Sequence, residues 1–293
     1  MWIVLLKSSA DTAWLWATVS DEHEAERIFA SAYPSLYQQL KPLEAKLRKR
    51  QDRGRHWWEL RPSAYYDAFE GPKLTYQEIQ FHPAFGYDRE SYFGNNRVFI
   101  VPSGDLYLLA VLNSPLMWWH NWRFLPRMKD DALSPLGVLM ETLPIAQPDS
   151  ATRAEVEPAV ERLITLTRDR RALTGALLAW LRVEFAIEVP GQRLEAFGDL
   201  DEEAFIEEVR RHRPRSAGRL SPAALADLRV TFAAESERMR ANQREAGQLE
   251  RRLAALVNGA YGLTPAEIDL LWRTAPPRMP IASTHGVVDK ESV

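Results

Sequence analysis

Two long stretches with a helical repeat of apolar residues dominate the second half of the 293-residue chain. The first runs from Thr152 to about Phe185 and the second from about Pro222 to Tyr261. Both are apolar near their ends and polar in the middle. The predicted seam of the first consists of Val156, Val160, Leu163, Thr167, Arg170, Thr174, Leu177 and Leu181. These patterns match when the helices run in opposite directions, so we predict an antiparallel pair whose polar middle fixes the register.

Capping signals give the expected ends of the helices in this half of the chain. Thr152 and Glu155 form a capping box that would start the first long helix. A short acidic helix is expected within residues 199–212, between the two long ones. Thr264 followed by Pro265 and Glu267 predicts a last helix.

The first half of the chain mixes helix and strand signals. Ser20 is a good N-cap for a helix that should stop near Tyr33, and a second helix is expected over 36–50. The alternating segment KLTYQEIQF, residues 73–81, and VFIV, residues 98–101, predict strands. Together the patterns predict an α+β fold.

The same patterns divide the chain into three regions. Residues 1–148 would form a mixed α/β domain, in which Asp105 caps a helix that runs past Trp118. Residues 149–275 would form a mainly helical spacer or docking region, and 276–293 an irregular tail. The start at MWIVLL reads like a strand entered within a domain, which leaves open a natural subunit or a piece of a longer chain.

Composition restricts the compartment and the kind of partner. The chain has no cysteine, and we find no apolar run long enough to cross a bilayer, so we expect a cytoplasmic protein with no membrane partner. The net charge is −3, but residues 41–129 hold fourteen basic and nine acidic side chains, which gives +5. A polyanion would therefore bind the middle of the chain.

Known catalytic patterns are missing from the sequence. It contains no phosphate-binding loop, no dinucleotide-binding glycine pattern, and no H-E-x-x-H or G-x-S-x-G motif. The six histidines are scattered without the spacing of metal ligands. We therefore predict no catalytic residue and no metal site in this chain.

A basic and aromatic cluster is the strongest candidate for binding. Its members fall within nine residues of the sequence: Arg53, Arg55, His56, Trp57, Trp58 and Arg61. Arginines bind phosphates or guanine edges, and aromatic rings stack on bases. A hydrophobic core with a solvated arginine rim explains the same pattern equally well.

Four blocks in the first half resemble the TaqI-like C-terminal specificity domain of DNA adenine-N6 methyltransferases and fused restriction–modification enzymes. They are RGRHWWELR, YYDAFEGPKLTYQEI, YFGNNRVFIVPSGDLYLLAVLNSPLMWW and ETLPI, in this order, over roughly residues 40–148. The resemblance implies a target-recognition domain that reads double-stranded DNA. The side chains that it places near the duplex are Arg53, Arg55, His56, Trp57, Arg61, Lys73, Tyr76, Asn95, Asn96 and Arg97.

The chain departs from whole enzymes of this group. It lacks the Asn-Pro-Pro-Tyr type motif, the glycine-bearing S-adenosylmethionine loop and a Pro-Asp…Glu-x-Lys nuclease core. The resemblance thus implies a DNA-recognition module of a restriction–modification or phage-defence system, without activity alone. S-adenosylmethionine would bind a partner methyltransferase domain or subunit. Two alternatives stay open: a structural or protein-interaction subunit that does not read DNA, and a fragment of an adenine-specific methyltransferase.

Overall fold

The computed structural model describes residues 4–214, 216 and 218–281. These residues divide into two compact units. Unit 1 extends to Gly71 and includes Glu90–Phe93, whereas unit 2 contains Pro72–Arg89 and the chain from Gly94 onward. This division differs from the expected one at residue 148. The α+β fold is confirmed, since helices accompany one small antiparallel sheet.

Unit 1 is built from short helices and loops. Its helices are α1 (Glu22–Ala32), α2 (Pro34–Leu40) and α3 (Glu44–Leu47), with 3-10 turns at Lys41–Leu43 and Asp67–Phe69. The N-cap of α1 is Asp21 and not Ser20, because the Asp21 carboxylate accepts hydrogen bonds from two backbone amides of the first turn. The single helix predicted over 36–50 is interrupted, since Pro42 has no amide hydrogen to continue it.

Stacked aromatic rings form the core of unit 1. Trp16 is fully buried, and its ring centroid lies 5.3 Å from that of Phe29 and 5.9 Å from that of Trp58. Trp58 in turn stacks on Phe29 at 5.1 Å and on His56 at 4.7 Å. Such ring pairs contribute about 0.5–1.5 kcal/mol each beyond the apolar area that they bury. The core of this small unit therefore depends on the segment that also carries its arginines.

Unit 2 contains the sheet and the long helices. The three antiparallel strands have the order β2-β1-β3, where β1 is Lys73–Gln77, β2 is Gly86–Asp88 and β3 is Val98–Val101. The strand predicted over 73–81 ends four residues early, and β2 was not predicted. The remaining helices are α4 (Leu106–Leu112), α5 (Pro115–Phe124), α6 (Gly137–Met140), α7 (Ser150–Phe185), α8 (Gln192–Glu195), α9 (Glu202–His212), α10 (Pro222–Ala260) and α11 (Pro265–Arg273), with 3-10 turns at Lys129–Asp131 and Phe197–Asp199.

The helix predicted to follow Asp105 is two helices. Asp105 caps α4 as expected, accepting from the amides of Tyr107 and Leu108. Ser114 then caps α5, since its hydroxyl accepts the amide of Met117 at 3.1 Å and Pro115 occupies the first position. The break makes α5 a separate helix, which carries three tryptophans of its own.

The two long helices α7 and α10 run antiparallel, as predicted. Glu155 pairs with Arg252 at 2.6 Å and Arg162 with Glu245 at 2.6 Å, so positions rise on α7 as they fall on α10. The N-cap of α7 is Asp149 and not Thr152, because Asp149 accepts the Thr152 amide at 2.7 Å.

The predicted seam of α7 is wrong in its middle. Leu166 and Leu173 are buried there, whereas Thr167 and Arg170 are exposed. A seven-residue repeat drifts around a straight helix of 3.6 residues per turn, which shifts the buried positions.

The first residues after α11 contact α5. The indole nitrogen of Trp118 donates to Pro277 O at 3.0 Å, so the expected irregular tail begins with packed residues. Residues 282–293 lie outside the described part of the chain. Among the described helices, none is long and apolar enough to cross a membrane.

Candidate nucleic-acid interface

A tight loop in unit 1, Arg53–Arg61, carries half of the predicted site; we call it the basic loop. Arg53 and Leu60 form an antiparallel bridge, and the Gly54 amide donates to Glu59 O at 3.1 Å. One guanidinium nitrogen of Arg50 donates to Glu59 O at 2.8 Å, which attaches the loop to the end of α3. The loop is therefore fixed at both of its arms.

The side chains of the basic loop divide between interior and solvent. His56 and Trp57 are buried, and so is Glu59, whose carboxylate accepts from the indole nitrogen of Trp16 at 2.7 Å and from the His56 amide at 3.2 Å. The arginines of the loop are exposed. The expectation that His56 and Trp57 lie at a DNA surface is thus corrected, because both rings are needed to fill the core.

The exposed arginines are Arg53, Arg55 and Arg61. Arg55 donates to Ala17 O at 2.9 Å, and Arg61 donates to the Tyr65 hydroxyl at 2.8 Å. That hydrogen bond lowers the pKa of Tyr65. Within the described residues no carboxylate lies within 4.0 Å of these three guanidinium groups, so their charges remain available to an anion.

Gly54 permits the close approach of the two arms of the loop. A Cβ at this position would lie 2.4 Å from Leu60 O and 2.6 Å from the Glu59 Cβ. We expect Gly54→Ala to destabilise unit 1 by about 1–3 kcal/mol, because backbone must move to admit the methyl group. Urea unfolding checks this, with Gly71→Ala as the control, since no atom lies within 4 Å there.

The two residues of β1 that were predicted to contact DNA, Lys73 and Tyr76, are buried within unit 2. Lys73 is fully buried, and its ammonium lies 2.5 Å from the carboxylate of Asp88, its partner in the register of β1 and β2. Tyr76 is 4 % exposed and its ring stacks on Phe99. The expectation that Lys73 and Tyr76 lie near a duplex is therefore corrected: a buried, neutralised ammonium cannot reach a phosphate in this conformation.

The turn before β3 holds the remaining predicted residues, and it is exposed. The side-chain oxygen of Asn95 accepts the Arg97 amide at 3.0 Å, and Asn95 O accepts the Val98 amide at 3.1 Å. The Arg97 guanidinium pairs with Glu78 at 3.2 Å. Asn95 thus shapes the turn, whereas Asn96 and Arg97 present polar groups to solvent, and their contact with DNA stays a prediction.

A second basic and aromatic cluster, which was not predicted from the sequence, lies at the end of α5. Arg123 lies over the ring of Trp119, and Arg127 over the ring of Trp122. A signal for this cluster is present in the sequence, since Trp119 and Arg123 are four positions apart and therefore lie on one face of a helix. For metals, the described residues contain no group of three or more His, Cys, Asp or Glu side chains that could hold an ion.

Comparison with known families gives two matches. Residues 29–145 match the TaqI-like C-terminal specificity domain, so the resemblance seen in the sequence is confirmed for this segment. Residues 149–257 match a domain of unknown function, DUF8810. No curated protein matches the chain.

Proposed function

We propose that this chain recognises double-stranded DNA for an adenine-N6 methyltransferase in a restriction–modification or phage-defence system. The match of residues 29–145 to the TaqI-like specificity domain carries the proposal. The basic loop lies within this range and displays three arginines without carboxylate partners among the described residues. An unneutralised cluster of this kind suits a polyanion.

The construction of the basic loop favours specific contacts over loose electrostatic attraction. Its backbone is bridged at Arg53 and Leu60 and attached through Arg50, and its two tryptophans lie in the core. Guanidinium groups that start from a fixed backbone lose less conformational entropy on binding. Such groups can bind phosphates to set the register or pair with guanine in the major groove.

Residues of unit 2 would add contacts of their own. Asn96 and Arg97 are exposed on the turn before β3. Lys73 and Tyr76 would serve indirectly, since the buried Lys73–Asp88 pair and the Tyr76–Phe99 stack hold the strands that carry this turn.

The chemistry would belong to a partner methyltransferase domain or subunit. This chain lacks the catalytic and cofactor-binding motifs of such enzymes. S-adenosylmethionine would bind on the partner, which flips out the target adenine and methylates it. The helical region from 149 onward would supply a spacer or docking surface for that partner.

A triple substitution of the basic loop tests the proposal. We expect Arg53→Ala, Arg55→Ala and Arg61→Ala together to weaken duplex DNA binding. The plot of log K against log salt should become shallower by about 0.9 for each phosphate that the variant no longer neutralises. Fluorescence anisotropy with a labelled duplex, over a series of salt concentrations, measures both quantities.

A matched control removes the same charge elsewhere. Arg238, Arg244 and Arg252 are exposed arginines of α10, each paired with a glutamate. Their replacement by alanine should leave the salt dependence unchanged. Equal salt slopes for the loop variant and the unmodified chain would contradict the proposal and favour a subunit that does not read DNA.

A further inference from the structure

The end of α5 and the loop after it form an exposed surface that combines aromatic rings and cations. We call it the α5 patch, and it consists of Trp119, Trp122, Arg123, Phe124, Arg127 and Met128. Phe124 is 66 % exposed and Met128 is 47 % exposed. Apolar side chains that remain this accessible, here four positions apart in the sequence, are typical of a contact surface.

Flat groups of the α5 patch are stacked in pairs. The Arg123 guanidinium lies 3.7 Å from the centroid of the Trp119 ring, and the Arg127 guanidinium lies 4.6 Å from that of Trp122. The ring of Phe124 is backed by His120 at 4.4 Å. Each pair supports an outer planar group, so the planes are ordered before any ligand arrives.

Contacts with the segment after α11 hold this arrangement in place. The indole nitrogen of Trp119 donates to the Thr274 hydroxyl at 2.8 Å, and Arg123 donates to Thr274 O at 3.1 Å. The neighbouring Trp118 is buried and donates to Pro277 O. The base of the patch is therefore rigid, while its planar groups face outward.

The charge of the α5 patch is not neutralised locally. Among the described residues no carboxylate pairs with Arg123 or Arg127. Burial, and then the nearby Arg127, lower the pKa of Arg123. Exposed Lys129 extends the positive surface along the chain, whereas Asp130 and Asp131 follow it. Two adjacent guanidinium groups without an acid between them favour an anionic ligand.

We infer that the α5 patch binds single-stranded nucleic acid. Unpaired bases would stack on Phe124 and on the guanidinium planes, while Arg127 and Lys129 contact phosphates. A duplex hides the faces of its bases, so exposed flat groups between cations fit an unpaired strand better. The α5 patch shares no residue with the basic loop, and this inference does not depend on duplex recognition by that loop.

The test measures binding of a labelled short oligothymidine, and of a labelled duplex, by fluorescence anisotropy. We expect Phe124→Ala to weaken single-strand binding about tenfold, as for the removal of one base stack. Arg127→Glu should weaken it further and reduce its salt dependence. Tyr92→Ala is the matched aromatic control, since Tyr92 is also 66 % exposed, and Arg238→Glu is the charge control.

The outcomes separate this inference from the proposed function. Loss of single-strand binding in the two patch variants, with duplex binding retained, supports it. The inference is overturned if the unmodified chain does not bind oligothymidine, if both patch variants bind it as tightly as the controls, or if only the basic-loop triple variant loses it. Circular dichroism confirms that each variant is folded.

Discussion

Lys73→Ala is expected to destabilise unit 2 by about 3–5 kcal/mol, because it removes the ammonium group that neutralises the buried carboxylate of Asp88. Lys73 has no exposed surface, and Asp88 is 8 % exposed. The two residues face each other across β1 and β2, at the start of the central strand. Urea unfolding at neutral pH measures the loss, and the surface substitution Lys46→Ala should stay within about 0.5 kcal/mol.

Removing both charges separates the ion pair from the space that it fills. We expect Lys73→Met combined with Asp88→Leu to recover most of the lost stability, since an apolar pair of similar size avoids the cost of desolvation. One result of the single substitution would instead support the prediction, made from the sequence, that Lys73 contacts DNA. If Lys73→Ala unfolds like the unmodified chain but binds duplex DNA more weakly, then Lys73 contacts DNA and our account of the buried pair is wrong.

Elements with local signals were predictable from the sequence. VFIV forms β3 at the predicted residues, Asp105 caps α4, and the capping box at Thr264 starts α11. In each case a few adjacent residues decide the structure. The division of the helix expected over 36–50 also has a local signal, since Pro42 has no amide hydrogen to continue an α-helix.

Elements that depend on distant partners were not predictable. β2 is only three residues long and exists because it pairs with β1. The same pairing decides the environment of Lys73, whose counter-charge lies fifteen positions away on a strand that has no signal of its own. The resemblance placed Lys73 near the duplex, whereas the structure buries it against Asp88.

In the basic loop, too, the environment of a side chain depends on residues that are distant in the sequence. Composition left the tryptophans and arginines of the basic loop evenly balanced between core and surface. The structure assigns the tryptophans to the core and the arginines to solvent, since the rings of Trp16 and Phe29 supply the partners for Trp58. Those partners come from other parts of the chain, which the spacing within the loop does not reveal.

The charge excess of residues 41–129 needs a similar correction. Lys73 is buried, and Arg48 and Arg97 pair with carboxylates. Among the described residues, the cations without a carboxylate partner include the three arginines of the basic loop and the two of the α5 patch. The net charge of a segment therefore predicted an anionic partner but not the side chains that would contact it.

Mild acid is expected to destabilise unit 1 through His56. The ring is 2 % exposed, it stacks on Trp58, and neither of its nitrogens has a hydrogen-bond partner among the described residues. Burial lowers the pKa of His56 below the usual 6.5. Nearby Glu59 and Glu22 oppose this shift and Arg55 adds to it, but burial dominates.

The direction in which stability changes with pH follows from the lowered pKa of His56. The unfolded chain takes up a proton near pH 6.5 while the folded chain does not, so stability is full above this pH and falls below it. The slope for one such group is at most about 1.4 kcal/mol per pH unit. Urea unfolding between pH 7.5 and pH 5, followed by tryptophan fluorescence, measures it.

His56→Phe is the matched variant, because a phenyl ring keeps the stack on Trp58 and cannot take up a proton. We expect its stability to change little between pH 7.5 and pH 5. A second loss of stability should begin at lower pH, as the pH falls through 4.5, the usual pKa of a glutamate side chain. Burial alone would raise the pKa of Glu26, but hydrogen bonds from Lys41, Tyr37 and Trp57 lower it overall. If the His56→Phe chain loses stability over the higher range as steeply as the unmodified chain, the acid sensitivity does not come from His56. A loss confined to the lower range would instead assign it to Glu26 and other carboxylates.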